Sequence, residues 1–242
     1  MPVREKIYFA SDVHLGLRRG DPSERERRFV DFLRGIDPES TAAVYLLGDI
    51  WDFWYEYRDV VPKGYVRLFA ALTDLMDAGV EVVFCPGNHD IWCYSYFEEL
   101  GMKVVRQPHL FEAGGKPFCV GHGDGLGPGQ GRTRALGALF RNRVAQTLFS
   151  LLHPWLAFRL GLGWSGSNRR RHLPYFWKGT DEPLYKWASA FSGKVDFFVF
   201  GHFHCEADET LPSGARLLVA DSWLERSPFI LFDGSDIGPH SL

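Results

Sequence analysis

Three features of the sequence predict an α/β fold. Short apolar runs at residues 7–10, 43–47, 80–85, 117–120, 195–200 and 217–220, with 229–232 as a seventh, are hydrophobic without alternation. Continuous hydrophobicity of this kind belongs to strands covered on both faces. Amphipathic helical patterns at 24–34 and 65–78 separate the first three runs, and Gly79 ends the second pattern directly before its strand. Strand, helix, strand, helix, strand implies right-handed crossovers. The length, 242 residues with 45% hydrophobic and 24% charged, fits one globular domain over 1–242 carrying an insertion. The same composition excludes disorder, collagen-like repetition and a small disulfide scaffold.

The strand grammar breaks after about residue 123. Residues 134–152 read as one helix with Leu136, Leu139, Phe140, Val144, Leu148, Leu151 and Leu152 as its apolar stripe, closed by Pro154. A Gly-Trp-Ser-Gly-Ser turn is expected at 163–167, and strand patterns resume only at 195. Residues from about 125 to 190 are therefore expected to form a helical cap over the edge of the sheet.

Charge divides along the same line. The formal net charge is −3, yet residues 125–180 contain no Asp or Glu and nine basic residues: Arg132, Arg134, Arg141, Arg143, Arg159, Arg169, Arg170, Arg171 and Lys178. The rest of the chain sets 18 basic residues against all 30 acidic ones. An acidic body carries a basic cap. Residues 1–7 lack the pattern of a secretory signal, and Cys85, Cys93, Cys119 and Cys205 are dispersed, so a reducing cytoplasm is expected. The longest uncharged apolar stretch, 144–158, has 15 residues and is short of the roughly 18 needed to span a bilayer.

The chemistry-bearing residues follow the strands. Asp12 and His14 come after the first, Gly48 and Asp49 after the second, Gly-Asn-His-Asp at 87–90 after the third, Gly-His at 121–122 after the fourth, and Gly-His-x-His at 201–204 after the fifth. In an open α/β sheet the carboxyl ends of the strands form the ligand crevice, so these tips converge. Asp12, His14, Asp49, Asn88, His122, His202 and His204 offer oxygen and nitrogen donors without a thiolate, which suits Mn²⁺, Fe²⁺ or Zn²⁺. Seven donors exceed what one ion with an open position takes, so two ions sharing a carboxylate are expected. Asp12 and His14, and His202 and His204, point to one side if strand geometry persists across them. A lone histidine at a strand end is ordinarily a satisfied polar residue, but five of the nine histidines fall in these turns. Two ions about 3.5 to 4 Å apart suit in-line displacement at a phosphoryl centre.

These blocks, taken in order, resemble those of the calcineurin-like metallophosphoesterases, and they cover residues 7 to 204. The resemblance implies a four-layer αββα sandwich of two mixed sheets, which periodicity alone does not distinguish from a single sheet. It also implies that Asp12, His14, Asp49 and His204 hold one divalent ion and Asp49, Asn88, His122 and His202 the other, with Mn²⁺ the first choice and Fe²⁺ or Zn²⁺ alternatives. His89 would face the substrate phosphate as proton donor or charge stabiliser, with Asp90 orienting it.

Further blocks at 48–64, 122–129, 148–154 and 164–167 are similar to those of the UDP-2,3-diacylglucosamine pyrophosphatases of lipid A synthesis. That resemblance implies cleavage of a UDP-linked diacylated sugar to UMP and an acylated sugar phosphate. In the turn after residue 129 this chain has Gln130 and Thr133, where the group tends to carry an acid and a tyrosine. The cap's cations lie among Phe140, Phe149, Trp155, Phe158, Trp164, Tyr175, Phe176 and Trp177, a composition suited to an anionic head with acyl chains and to peripheral contact with an anionic inner membrane. Head-group contacts are expected from Asn88, His89 and one or more of Arg169, Arg170 and Arg171, with Ser165, Ser167 and Asn168 as further candidates. Among Trp51, Phe53, Trp54, Tyr55 and Tyr57, core packing is expected, with Trp54 or Tyr55 at the substrate mouth. Alternatives are a general phosphoesterase acting on nucleotides or nucleic acid, and a scaffold without catalysis; the aliphatic stripe argues against nucleic acid, and no obligate protein partner is expected.

Overall fold

The computed structural model describes residues 4–171 and 175–242, residues 166–171 by their backbone alone. The first half alternates strand and helix: β1 (Lys6–Ala10), α1 (Pro22–Gly35), β2 (Thr41–Leu46), α2 (Val66–Asp77) and β3 (Glu81–Phe84). A one-turn helix α3 (Tyr96–Glu99) leads to the short β4 (Lys103–Val104), the hairpin β5 (His109–Ala113) and β6 (Lys116–Val120), and three helices, α4 (Gly131–Phe140), α5 (Arg143–Ser150) and α6 (Pro154–Arg171). After α7 (Pro183–Ser189) the chain completes β7 (Phe197–Phe200), β8 (Ala207–Thr210), β9 (Arg216–Val219), β10 (Pro228–Phe232) and β11 (Ile237–Ser241).

The strands form two mixed sheets, in the orders β11-β10-β1-β2-β3-β4 and β5-β6-β7-β9-β8. Within the central strands the side chains alternate between two apolar layers. Ile7 and Phe9 of β1, Tyr45 of β2, Val83 of β3, Phe118 and Val120 of β6, Val199 of β7, Leu218 of β9 and Ile230 of β10 meet between the sheets. Their neighbours Val44, Leu46, Val82 and Phe84 turn outward under Phe29, Phe32, Leu33, Leu68 and Leu72 of α1 and α2. On the other side Phe198, Phe200, Leu217 and Val219 pack under Leu184 and Ala188 of α7. Helix, sheet, sheet and helix make four layers, and unbroken hydrophobicity in the strands follows from burial on both faces.

Several local expectations are revised. The expected single helix at 134–152 is two, because the Asn142 side chain accepts hydrogen bonds from Val144 N (3.0 Å) and Ala145 N (3.1 Å) and so starts α5 afresh. The expected turn at 163–167 is helical, since Pro154 opens α6 and the chain continues to Arg171. Helix α7 packs on the second sheet, so the helices lying beyond the sheets end with α6. Four strands escaped the reading, β4, β5, β8 and β11; all but β5 and β11 are four residues or shorter, and all four are edge strands.

Phe118 is fully buried between the sheets, within 5.2 Å of Phe111, Phe197 and Phe232 by ring centroid. Phe118→Ala is expected to lower stability by about 3–5 kcal/mol in urea denaturation. A loss below 1 kcal/mol would contradict tight packing of one sheet on the other.

Candidate metal centre

The five sequence blocks meet where the carboxyl ends of β1, β2, β3, β6 and β7 run out. Past the last strand residues the loops stay zipped together: Asp12 N donates to Gly48 O (3.0 Å), His14 N to Asp49 O (2.9 Å) and Leu15 N to Ile50 O (2.8 Å). Strand geometry does not persist across the pairs, as the alternation argument required. Asp12 has φ 54°, His14 49°, Asp49 53°, His202 76° and His204 51°. Among the described residues only Tyr65 joins these five as a non-glycine at positive φ. Left-handed backbone is unfavourable for L residues with side chains, and its concentration here is a mark of functional geometry. Repeated left-handed kinks, not a period of two, aim the side chains inward.

Glycine at 87 and 201 permits this crowding. A Cβ at Gly201 would overlap Ser11 Oγ and crowd Asp12 Oδ2, and one at Gly87 would overlap the Asp49 carboxylate.

The donor atoms face one another. Asp12 Oδ2 accepts from Ser11 Oγ and His202 N, both at 2.7 Å, while its buried Oδ1 has no aligned donor and lies 3.1 Å from His204 Nε2 and 3.6 Å from His14 Nε2. Asp49 Oδ1 accepts from His89 N (2.9 Å); Oδ2 lies 3.5 Å from His122 Nε2, 3.8 Å from His89 Nε2 and 3.9 Å from His14 Nε2. His122 Nδ1 sits 2.9 Å from Leu47 O, a carbonyl that only accepts, so Nδ1 carries the proton. Its Nε2 then faces Asn88 Oδ1 at 3.2 Å and His202 Nδ1 at 3.1 Å. Acceptors and imidazoles converging in this way are reconciled by a proton or a metal ion among them.

Electrostatics carry the same message. Burial alone would raise the Asp12 carboxyl, but the imidazoles of His14 and His204 hold it well below the usual carboxylate range. Asp49 is likewise lowered, against burial, chiefly by His122. Burial opposes a proton on His122, yet the Asp49 charge raises it well above an ordinary histidine. His202 is pushed down to about 4 by burial and by the charge on His122. The negative charge of two buried aspartates attracts whatever cation is present.

Among the described residues three groups bring donor atoms within 4.8 Å of one another: Asp12, His14 and His204; His14, Asp49 and His89; Asp49, His122 and His202. The first lacks the Asp49 of the expected four, the second brings in His89, and Asn88 Oδ1 lies 3.2 Å from His122 Nε2 of the third. Orphaned Asp12 Oδ1 and the nitrogen–oxygen donor set therefore fit divalent cations.

Residues 5–206 match the calcineurin-like phosphoesterase family. The chain belongs to that family. It is 35% identical over 254 residues to UDP-2,3-diacylglucosamine hydrolase of Porphyromonas gingivalis, an alignment spanning 97% of each chain. It is 29% identical to the protein of the same name from Xanthomonas campestris pv. campestris, over 97% of this chain and 98% of that relative. A dimetal phosphatase from Danio rerio shares the fold, with TM-score 0.50 and 14% identity over 98% and 99% of the two chains. As a calcineurin-like phosphoesterase the chain is a metal-dependent hydrolase.

Within this phosphoesterase, Asp90 does something other than orient His89. Its oxygens accept from Gly87 N (2.7 Å), Ile50 N (2.8 Å), Asp49 N (3.2 Å) and Trp51 N (3.4 Å), clamping the second and third loops together. Burial and the neighbouring Asp49 push its carboxyl up to about 7 against those donors. His89 is oriented instead through Nδ1, 2.8 Å from the backbone oxygen of Asp52.

A cavity of about 630 Å³ opens beside the centre. Asn88, His89 and His202 line it at one end, and Leu136, Phe140, Phe149, Leu160 and Trp164 of the three helices supply much of its apolar lining. Phe53 reaches the cavity, whereas Trp54, expected at the mouth, is fully buried in the outer core layer, and Tyr55 is buried with its hydroxyl donating to Gln146 O (2.8 Å). The side chains of Ser167, Asn168, Arg169, Arg170 and Arg171, proposed for the head group, lie outside the described residues. Asp52 was missed; a single acid inside the aromatic run 51–55 was the available signal.

Asp90→Ala would orphan four backbone donors. It is expected to lower stability by about 3 kcal/mol or more by thermal or urea unfolding, with loss of bound metal by elemental analysis. Wild-type stability with reduced turnover would indicate that Asp90 serves His89 alone.

Proposed function

We propose that this metal-dependent hydrolase cleaves the pyrophosphate of UDP-2,3-diacylglucosamine, releasing UMP and 2,3-diacylglucosamine 1-phosphate. The observation that carries this reading is the contact between the candidate metal centre and the apolar cavity. Leu136, Leu139 and Leu160 among the aromatic lining make the space a better fit for the acyl chains of a sugar diphosphate than for stacked bases. The names of the Porphyromonas and Xanthomonas relatives point the same way.

Asp12, His14, Asp49 and His204 would hold one divalent ion and Asp49, Asn88, His122 and His202 the other, with Mn²⁺ the preferred metal. When bound, such ions supply Lewis acidity, lowering the pKa of water and neutralising charge on a phosphoryl group. The protein's own part is positional. Leu47 O fixes the tautomer of His122, and the Asp52 carbonyl fixes that of His89. With Nδ1 committed, His89 Nε2 is the nitrogen available to hold or deliver a proton at a phosphate oxygen. Phe53, Trp92 and Phe140 wall that space and limit water.

The three helices also support peripheral attachment to an anionic membrane. Val144, Leu148, Leu151 and Trp155 are 62 to 78% exposed, at helical spacing on α5 and the start of α6. The Arg159 guanidinium lies 5.3 Å from the Trp155 ring centroid, and no acid occurs from 125 to 180. Apolar side chains beside unopposed arginines fit the interface of an anionic bilayer. Among the described residues no helix is long and apolar enough to cross it.

With Mn²⁺ added, the protein is expected to release UMP from UDP-2,3-diacylglucosamine and to leave cyclic nucleotides and single-stranded DNA uncut; the opposite preference would favour the general phosphoesterase reading. His89→Ala is expected to lower kcat by about 10²–10⁴. In flotation with phosphatidylglycerol vesicles, Leu151→Glu combined with Trp155→Glu is expected to abolish co-migration, and unchanged flotation would contradict the membrane face.

A further inference from the structure

Helix α6 touches the metal loops at two points one turn apart. Gly161 lies so close to the Phe53 ring that a Cβ there would overlap it. Four residues on, the Ser165 hydroxyl donates to Asp52 Oδ1 at 2.9 Å, joining residues 113 apart in sequence. Ser165 is 1% exposed and Asp52 2%. A buried hydroxyl and a buried carboxylate depend on such partners, because neither has water to fall back on.

Asp52 in turn reaches two histidines of the centre. The same Oδ1 lies 3.4 Å from His14 Nδ1, and the Asp52 backbone oxygen lies 2.8 Å from His89 Nδ1. Both are acceptors, so each histidine carries a proton on Nδ1 and turns Nε2 toward the other donors. His14 Nε2 is then the atom 3.0 Å from His204 Nε2 and 3.6 Å from Asp12 Oδ1. The Asp52 backbone is held as well, its N–H donating to Leu15 O at 3.0 Å. A carboxylate behind a metal-ligating imidazole fixes its tautomer and raises its basicity.

We infer that Ser165 is a positioning residue of the metal centre: through Asp52 it fixes the direction of the His14 imidazole, so that seating of α6 sets metal affinity. The inference rests on the proposed role of His14 as a ligand. Leu160, Gly161 and Trp164 of the same helix line the apolar cavity, so one element serves both the acyl end and the metal end of the site. A change in how α6 sits in the cavity is felt at His14 without any contact between substrate and that residue.

The test is a double-mutant cycle on Mn²⁺ affinity, measured by isothermal titration of metal-free protein with Mn²⁺, using wild type, Ser165→Ala, Asp52→Asn and the double variant. Ser165→Ala removes one hydroxyl and is expected to weaken Mn²⁺ binding about tenfold, a typical cost of disturbing such a partner. In the Asp52→Asn background the same change is expected to have less than a twofold further effect. At subsaturating Mn²⁺, Ser165→Ala should lower kcat, and saturating Mn²⁺ should restore it. Unchanged Mn²⁺ affinity in Ser165→Ala, equal losses in both backgrounds, or a rise in KM alone would overturn the inference. Wild-type protein that binds no Mn²⁺ would overturn the ligand reading beneath it, which separates the two failures.

Discussion

Asp49 Oδ2 faces imidazoles from three different loops, His122 at 3.5 Å, His89 at 3.8 Å and His14 at 3.9 Å, in a place almost without solvent. Together with Asp12 it puts two carboxylates into the low-dielectric seam where the sheets run out. Much else in the loops follows from keeping them there. Left-handed backbone at five donor residues, glycines at 87 and 201, and the Asp90 clamp across Asp49, Ile50, Trp51 and Gly87 are all unfavourable or demanding locally. They persist because six strands of one sheet and five of the other hold the loop ends in fixed register.

The cavity extends this constraint outward. Aromatic residues that follow the second and third strands serve as the seat for the three helices: Tyr55 and Tyr57 donate to Gln146 O and Leu152 O, and Trp92 Nε1 to Phe140 O. Phe53 meets Phe158 edge-on at 5.3 Å, and Trp92 meets Phe140 at 5.0 Å. The segments that carry Asp49 and His89 thus also anchor the apolar wall, which ties the donor cluster to the cavity beside it. Apolar side chains of α5 and its C-cap not used in that wall, Val144, Leu148 and Leu151, face solvent.

Much of this was legible in the sequence where local chemistry has a fixed spacing. Doubly buried strands announce themselves by unbroken hydrophobicity, and the family blocks name the converging turns. The four edge strands were hidden because an edge is half exposed: β5 reads as alternating burial from His109 to Ala113. Its turn, Gly114 and Gly115 at φ 55° and 70°, is a Gly-Gly hairpin signal that was available. Asn142 was an N-cap in plain view, overlooked because the apolar stripe runs on through it. Asp52 stands out as a lone acid among aromatics, but the contacts it makes are not local. Its partners lie 38 residues back, at His14, and 113 ahead, at Ser165, and nothing local shows that these three meet. The positive φ values are equally tertiary, since Asp and His carry no local preference strong enough to predict them.

The proposed centre is two cations sharing Asp49. Anomalous diffraction at the manganese edge from crystals grown with Mn²⁺ tests this most directly. Two peaks about 3.5 to 4 Å apart are expected, one beside Asp12, His14 and His204, the other beside Asn88, His122 and His202, with the Asp49 carboxylate between them. A single peak, or two that leave Asp49 uncoordinated, would contradict it.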